Sequence, residues 1–137
     1  MTAKILVPVD LEHSEKLAKA LAVTASIAKA ENAEVCFLGV TGTEPSPVAA
    51  TPQAYAAKLA SFAEGEAKSH DLTASSKTVT AHDVPVDLAP AILDSAKEVG
   101  ADLIVMASHL PGLQEHLFAT NAGYIANHAP ISVYVVR

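Results

Sequence analysis

The stretch Asp102-Leu-Ile-Val-Met-Ala-Ser-His-Leu-Pro-Gly-Leu-Gln-Glu-His-Leu-Phe-Ala-Thr-Asn121 decides the fold. Asp102 to Ala107 reads as a strand buried on both faces. Small, polar and turn-forming residues follow, and then a helical segment running to His128. Where a strand hands over to a helix in a parallel α/β domain, a phosphate-bearing ligand can sit. Backbone N–H groups point outward there and the helix dipole favours negative charge.

Working outward, the same strand-then-helix alternation fills the chain. Ile5-Leu-Val-Pro-Val-Asp10 is an apolar run ending in an acid. Pro8 has no N–H to give to a ladder, so it marks the end of that strand. Ser14 or Glu12 is the expected cap of a first helix that carries Leu17, Leu21, Ala25 and Ala28 inward and ends near Asn32. Glu34 to Val40 is the second strand. Thr41 to Pro52 holds three prolines and no periodicity, which predicts a long loop of the kind that flanks a site. A second helix starts at Thr51 or Pro52 with Tyr55, Leu59, Phe62 and Ala63 facing inward, weakened near its end by Gly65. Thr73 to Ala81 suits an edge strand. Asp87 is the expected cap of a third helix, with Pro90 in its first turn and Gly100 closing it. A last helix carries Ala122, Ile125, Ala126 and Ala129, Pro130 stops it, and Ile131 to Val136 is the fifth strand.

This pattern predicts one α/β domain over residues 1–137: an open five-stranded parallel sheet in the order 3-2-1-4-5, with helices on both faces. The order places the topological switch between strands one and four, so Asp10 and Ser108-His109 should meet at one crevice.

The chain of 137 residues is long enough for a single substantial core, built from Ala, Val, Leu and Ile because only 4% of residues are aromatic. Lys and Arg number 9 against 15 Asp and Glu, a formal charge of -6. That balance argues against nucleic acid or an acidic membrane as partner. A lone Cys36 excludes an internal disulfide, and no apolar run has membrane-spanning length, so a soluble cytoplasmic protein is expected.

Three segments resemble the universal stress protein family. Lys4-Ile-Leu-Val-Pro-Val-Asp10, with Ser14 four residues on, is similar to its first strand and helix start. Gly100-Ala-Asp-Leu-Ile-Val-Met-Ala-Ser-His109 is similar to its fourth strand and the turn after it. His128-Ala-Pro-Ile-Ser-Val-Tyr-Val-Val-Arg137 is similar to its close. The resemblance implies ATP or AMP as ligand, with or without magnesium. It also implies a loop of Gly, two residues, Gly, about nine residues, then Gly with Ser or Thr. Here Ala107 and Leu110 replace the first two glycines, and Ala119-Thr120 stands in the last place. Ala107 and Ala119 add a methyl each, acceptable where φ is negative. Leu110 would be strained at positive φ, and Pro111 pushes it toward extended geometry.

The strand-end reading and the resemblance together give a candidate ligand set: Pro8, Val9, Asp10, Val40, Met106, Ala107, Ser108, His109, Ala119, Thr120 and Asn121. Asp10 suits a ribose hydroxyl or a magnesium ion, or a plain helix cap. Thr120 and Asn121 suit a phosphate, or a cap on the last helix. Val40 would offer its backbone to adenine by the resemblance, and is core on its own pattern. Ser108 and His109 are adjacent on an extended segment and point apart, so they make no nucleophile and base pair. The nucleophile elbow, the P-loop and Gly-x-Gly-x-x-Gly are all missing. His109 and His116 lack the spacing of a zinc site. No catalytic or metal residues are expected, and at most weak ATPase activity.

The last strand would leave an apolar edge bare on a monomer. Pairing across a twofold axis through Ile131, Val133 and Val135 would cover it. Two functions follow: an adenine-nucleotide-binding stress protein acting as a regulatory or sensing homodimer, or a dimeric interaction module of the same fold without nucleotide.

Overall fold

A computed structural model describes residues 2–108 and 115–137. Five strands, β1 (Lys4–Pro8), β2 (Glu34–Thr41), β3 (Ala74–Thr80), β4 (Leu103–Ala107) and β5 (Ser132–Val136), alternate with α1 (Ala18–Glu31), α2 (Pro52–His70), α3 (Val84–Val99) and α4 (Glu115–His128). Every strand pair is parallel and the order is β3-β2-β1-β4-β5, as the sequence pattern predicts. Right-handed crossovers put α1 and α2 on one face and α3 and α4 on the other. On that second face α3 packs against α4.

The middle of the sheet is dry. Ile5, Leu6, Val7, Ile104, Val105 and Met106 are all buried, which is why neither β1 nor β4 shows a polar alternation. β3 and β5 are the edges; β3 is half-buried or exposed throughout, and β5 alternates exposed and half-buried residues up to the buried Val136. Phe37 on β2 meets Phe62 on α2 edge to face, with ring centroids 5.4 Å apart.

Pro8 shapes the rim. Val9 donates its N–H to the Leu38 carbonyl of β2 at 2.8 Å. Successive residues of a strand turn their N–H groups to opposite neighbours, so the donor that Pro8 lacks is the one that would face β4. Accordingly, pairing with β2 runs through Pro8, whereas pairing with β4 covers only Ile5 and Leu6. The ladder stops at the switch point, where a crevice is wanted.

Helix starts depart from expectation in two places. Neither Ser14 nor Glu12 caps the first helix. A 3-10 segment, Leu11–Leu17, precedes α1 and is capped by Asp10, which accepts from the Glu12 N–H, while α1 itself starts after Leu17 with no side-chain cap. Asp83, not Asp87, caps α3 by accepting from the Val86 N–H, while Asp87 accepts from the Asp83 N–H in return. Starting α3 this early leaves Pro90 inside the helix rather than in its first turn. The carbonyl orphaned by Pro90 is that of Val86, whose side chain is 68% exposed, so it lies on the solvent side of the helix. Ala126, expected on the inner face of α4, is exposed, while Ala122 and Ile125 are buried. The helix ends follow the usual left-handed caps, at Asn32 (φ 53), Asp71 (φ 54) and Gly100 (φ 72).

Candidate functional site

The C-terminal ends of β1 and β2 open onto a cavity of about 210 Å³. Pro8, Val9 and Asp10 form one wall, Leu38, Val40 and Thr41 a second, and Val84 and Leu88 of α3 a third. Tyr55 of α2 closes one side, and Gly42, Ser46 and Val48 of the proline-rich loop close another. That loop is tied to itself: the Ser46 hydroxyl accepts from the Val48 and Ala49 N–H groups, both at 3.3 Å. Lys58 donates to the Val48 carbonyl from α2.

Tyr55 reaches this place because β2 has a glycine beneath it. A Cβ on Gly39 would lie 2.6 Å from Tyr55 Cε1 and 2.7 Å from its hydroxyl oxygen. The ring is buried, yet the hydroxyl has no hydrogen-bond partner among the described residues and is not sealed from solvent. Burial, followed by the nearby Asp10 charge, pushes the Tyr55 phenol up to about 12.

Asp10 anchors the rim. One carboxylate oxygen accepts from the Glu12 N–H at 3.0 Å and the other pairs with His13 Nδ1 at 3.0 Å. The hydrogen bond that His13 donates to Asp10 holds His13 above the ordinary histidine value of 6.5; partial desolvation opposes this, and the charges of Asp10, Glu12 and Glu15 add to it. A carboxylate has about four acceptor positions, so Asp10 keeps two for a ligand such as a vicinal diol. Asp10, Glu12 and His13 bring one ligand atom each within 4.8 Å of one another. The two carboxylates suit magnesium and the imidazole does not. A metal drawing on Asp10 Oδ2 would also have to displace His13.

The other sequence-derived positions divide. Pro8, Val9 and Val40 line the cavity with Asp10. Pairing of β1 with β4 covers only Ile5–Leu103 and Leu6–Ile104, and no residue of β4 lines the cavity. Met106 is buried in the sheet core, and Ala107 ends β4 with negative φ, so its methyl brings no backbone strain. Ser108 is turned to β5: its N–H donates to the Val136 carbonyl at 2.8 Å and its hydroxyl to the same oxygen at 3.2 Å. It does not line the cavity, and no base stands beside it among the described residues. His109 and Leu110 lie outside the described residues, as do the side chains of His116, Ala119 and Thr120. Asn121 is buried and has a partner. Thr120 and Asn121 sit well inside α4, which begins at Glu115, so neither caps it. The sequence reading missed Tyr55, Glu12 and Ser46 as wall residues; a glycine inside a strand, the usual mark of close backbone approach, was the available signal for Tyr55.

No helix among the described residues is long and apolar enough to cross a membrane. The universal stress protein family model matches residues 1–137. Universal stress protein G of Shigella flexneri is 43% identical over 42 residues, 31% of this chain and 30% of that protein's own length. Among solved structures, a universal stress protein in complex with cAMP aligns with TM-score 0.71 at 20% identity, over 99% of this chain and 97% of the other. A universal stress protein family protein of Arabidopsis thaliana with AMP bound aligns with TM-score 0.68 at 18% identity, over 98% and 90%. With its strand order, its rim acid and a match that runs from the first residue to the last, the chain belongs to the universal stress protein family.

Proposed function

We propose that this protein binds an adenine nucleotide, ATP or AMP, at the rim between β1 and β4, and acts in stress sensing or regulation as a homodimer. Asp10 takes ribose hydroxyls through its remaining acceptor positions. The Val40 backbone faces the base, with Pro8 and Val9 as apolar wall. The segment from Met106 through Ala107, Ser108 and His109, with Ala119, Thr120 and Asn121, lies on the phosphate side. One observation carries the reading: a cavity at the C-terminal rim contains an acid with unused acceptor positions, beside the switch of strand order, where α/β sheets hold their ligands. Relatives of the same fold hold cAMP and AMP, which supports the ligand class. Hydrolysis is at most slow.

The dimer uses the free edge of β5, with Ile131, Val133 and Val135. Tyr134 is 46% exposed on this edge strand, which a second copy would cover. A second reading, an interaction module without nucleotide, draws on Ala107, Leu110 and Ala119 where the family resemblance expects glycine. Titration calorimetry with AMP and with ATP, magnesium present, decides between them. Heat of binding that is lost in Asp10→Ala supports the nucleotide; no heat at millimolar ligand supports the module.

A further inference from the structure

We infer that Tyr55 is the side chain with which the cavity reads the base: its hydroxyl donates a hydrogen bond to a ring nitrogen of the bound adenine. This rests on the nucleotide reading above and adds to it a residue that sets specificity. Three hydroxyls stand in the cavity wall, those of Thr41, Ser46 and Tyr55. The first two spend their protons on the chain itself, Thr41 on the Gly42 carbonyl and Ser46 on the Ala49 carbonyl, each at 3.3 Å. Among the described residues the Tyr55 hydroxyl has no partner, although the residue is only 6% exposed. A buried tyrosine ordinarily finds one.

The ring is also held where it is. Its tip rests on the β2 backbone at Gly39, where a Cβ would stand 2.7 Å from the hydroxyl oxygen, and the completely buried Leu59 packs against the same spot. Gly39 directly precedes Val40, whose backbone faces the base in the reading above, so the hydroxyl stands on the base side. Asp10 is near enough for its charge to act on the phenol, so one ligand can meet the acid with its sugar and the phenol with its base. The division of labour is chemical. An ionised carboxylate only accepts, which suits a diol, whereas a neutral phenol can donate, which suits an unprotonated ring nitrogen. Burial keeps the phenol neutral up to about 12, so the donor is present at any ordinary pH. A base with C–H or N–H in that place would leave the hydroxyl unpaired against it, and sites of this kind discriminate strongly for that reason.

The test is calorimetry on the full chain, wild type and Tyr55→Phe, with AMP and with its three analogues in which N1, N3 or N7 of the base is replaced by C–H. Tyr55→Phe keeps the ring and its fit over Gly39 and removes only the donor. It should weaken AMP by roughly five- to a hundredfold. One of the three analogues should bind the wild type about as weakly as AMP binds the variant, and should lose nothing more in Tyr55→Phe. The other two should lose the same factor as AMP. An unchanged AMP affinity in Tyr55→Phe, or an equal loss for all four ligands, would overturn the inference while leaving the nucleotide reading intact. No heat with any of the four, from wild-type protein shown to be folded by its thermal transition, would overturn both.

Discussion

Gly39→Ala probes the contact that builds the cavity. The added methyl would stand 2.6 Å from Tyr55 Cε1 and 3.0 Å from Leu59 Cδ2, and the Leu59 side chain is completely buried. A carbon pair rests near 3.5–4.0 Å, so the ring tip must move by about 1 Å. Overpacking of this kind costs about 1–3 kcal/mol. Replacing glycine within a strand returns about 0.5–1 kcal/mol of backbone entropy. The overpacking wins, leaving a net loss of about 1–2 kcal/mol, or about 4–8 °C in Tm for a domain of this size. Because the cavity is the open side available to the displaced ring, nucleoside affinity should fall more than stability does. The assay is thermal unfolding by circular dichroism in two backgrounds, wild type and Tyr55→Ala. In the second the ring is gone and most of the penalty should vanish, with only the Leu59 contact remaining. An equal drop in both backgrounds would refute the claim that Tyr55 is what Gly39 makes room for.

Other consequences are equally direct. Ile125 is completely buried on α4, so Ile125→Ala should cost about 2–5 kcal/mol in urea unfolding; a change below 1 kcal/mol, roughly that of a surface site, would mean α4 is not docked as described. The raised His13 value predicts an NMR titration midpoint above 6.5 that falls in Asp10→Asn. The pair's contribution to stability is then fully present below 6.5 and lost as pH rises through the folded midpoint. Tyr55 neutral up to about 12, against an ordinary 10.0, predicts an ultraviolet titration step near pH 12 that Tyr55→Phe removes. Its stabilising effect is complete below 10 and fades as pH climbs from there to 12. For the proposed dimer, Val133→Lys should shift sedimentation from dimer to monomer, and an unchanged sedimentation coefficient would place the interface elsewhere.

The sheet was readable because its signals are local and periodic. Ile5-Leu-Val and Leu103-Ile-Val-Met are unbroken apolar runs; the strand order was less readable, because right-handed crossovers admit more than one order. Capping was harder: Asp83 and Asp87 are both acids ahead of an apolar stripe, and the choice depends on which one the chain direction places before the first turn. The rim was half readable. Asp10 announces itself at the end of a buried strand, but the wall made by Tyr55, Ser46 and Val84 comes from three distant segments. Only packing brings these together, and the Gly39–Tyr55 fit that positions the ring has no signature in periodicity. Ser108 was read as a rim group on its place after β4, and its engagement with Val136 depends on how β5 ends.

The central claim is that an adenine ligand is seated against Asp10 at the rim. Amide chemical-shift mapping on titration with AMP tests it most directly. The account predicts saturable shifts concentrated at Val9, Asp10, Val40 and Thr41, abolished in Asp10→Ala; no saturable shift, or shifts gathered on the far side of the sheet around Ala101 and Ile131, would contradict it.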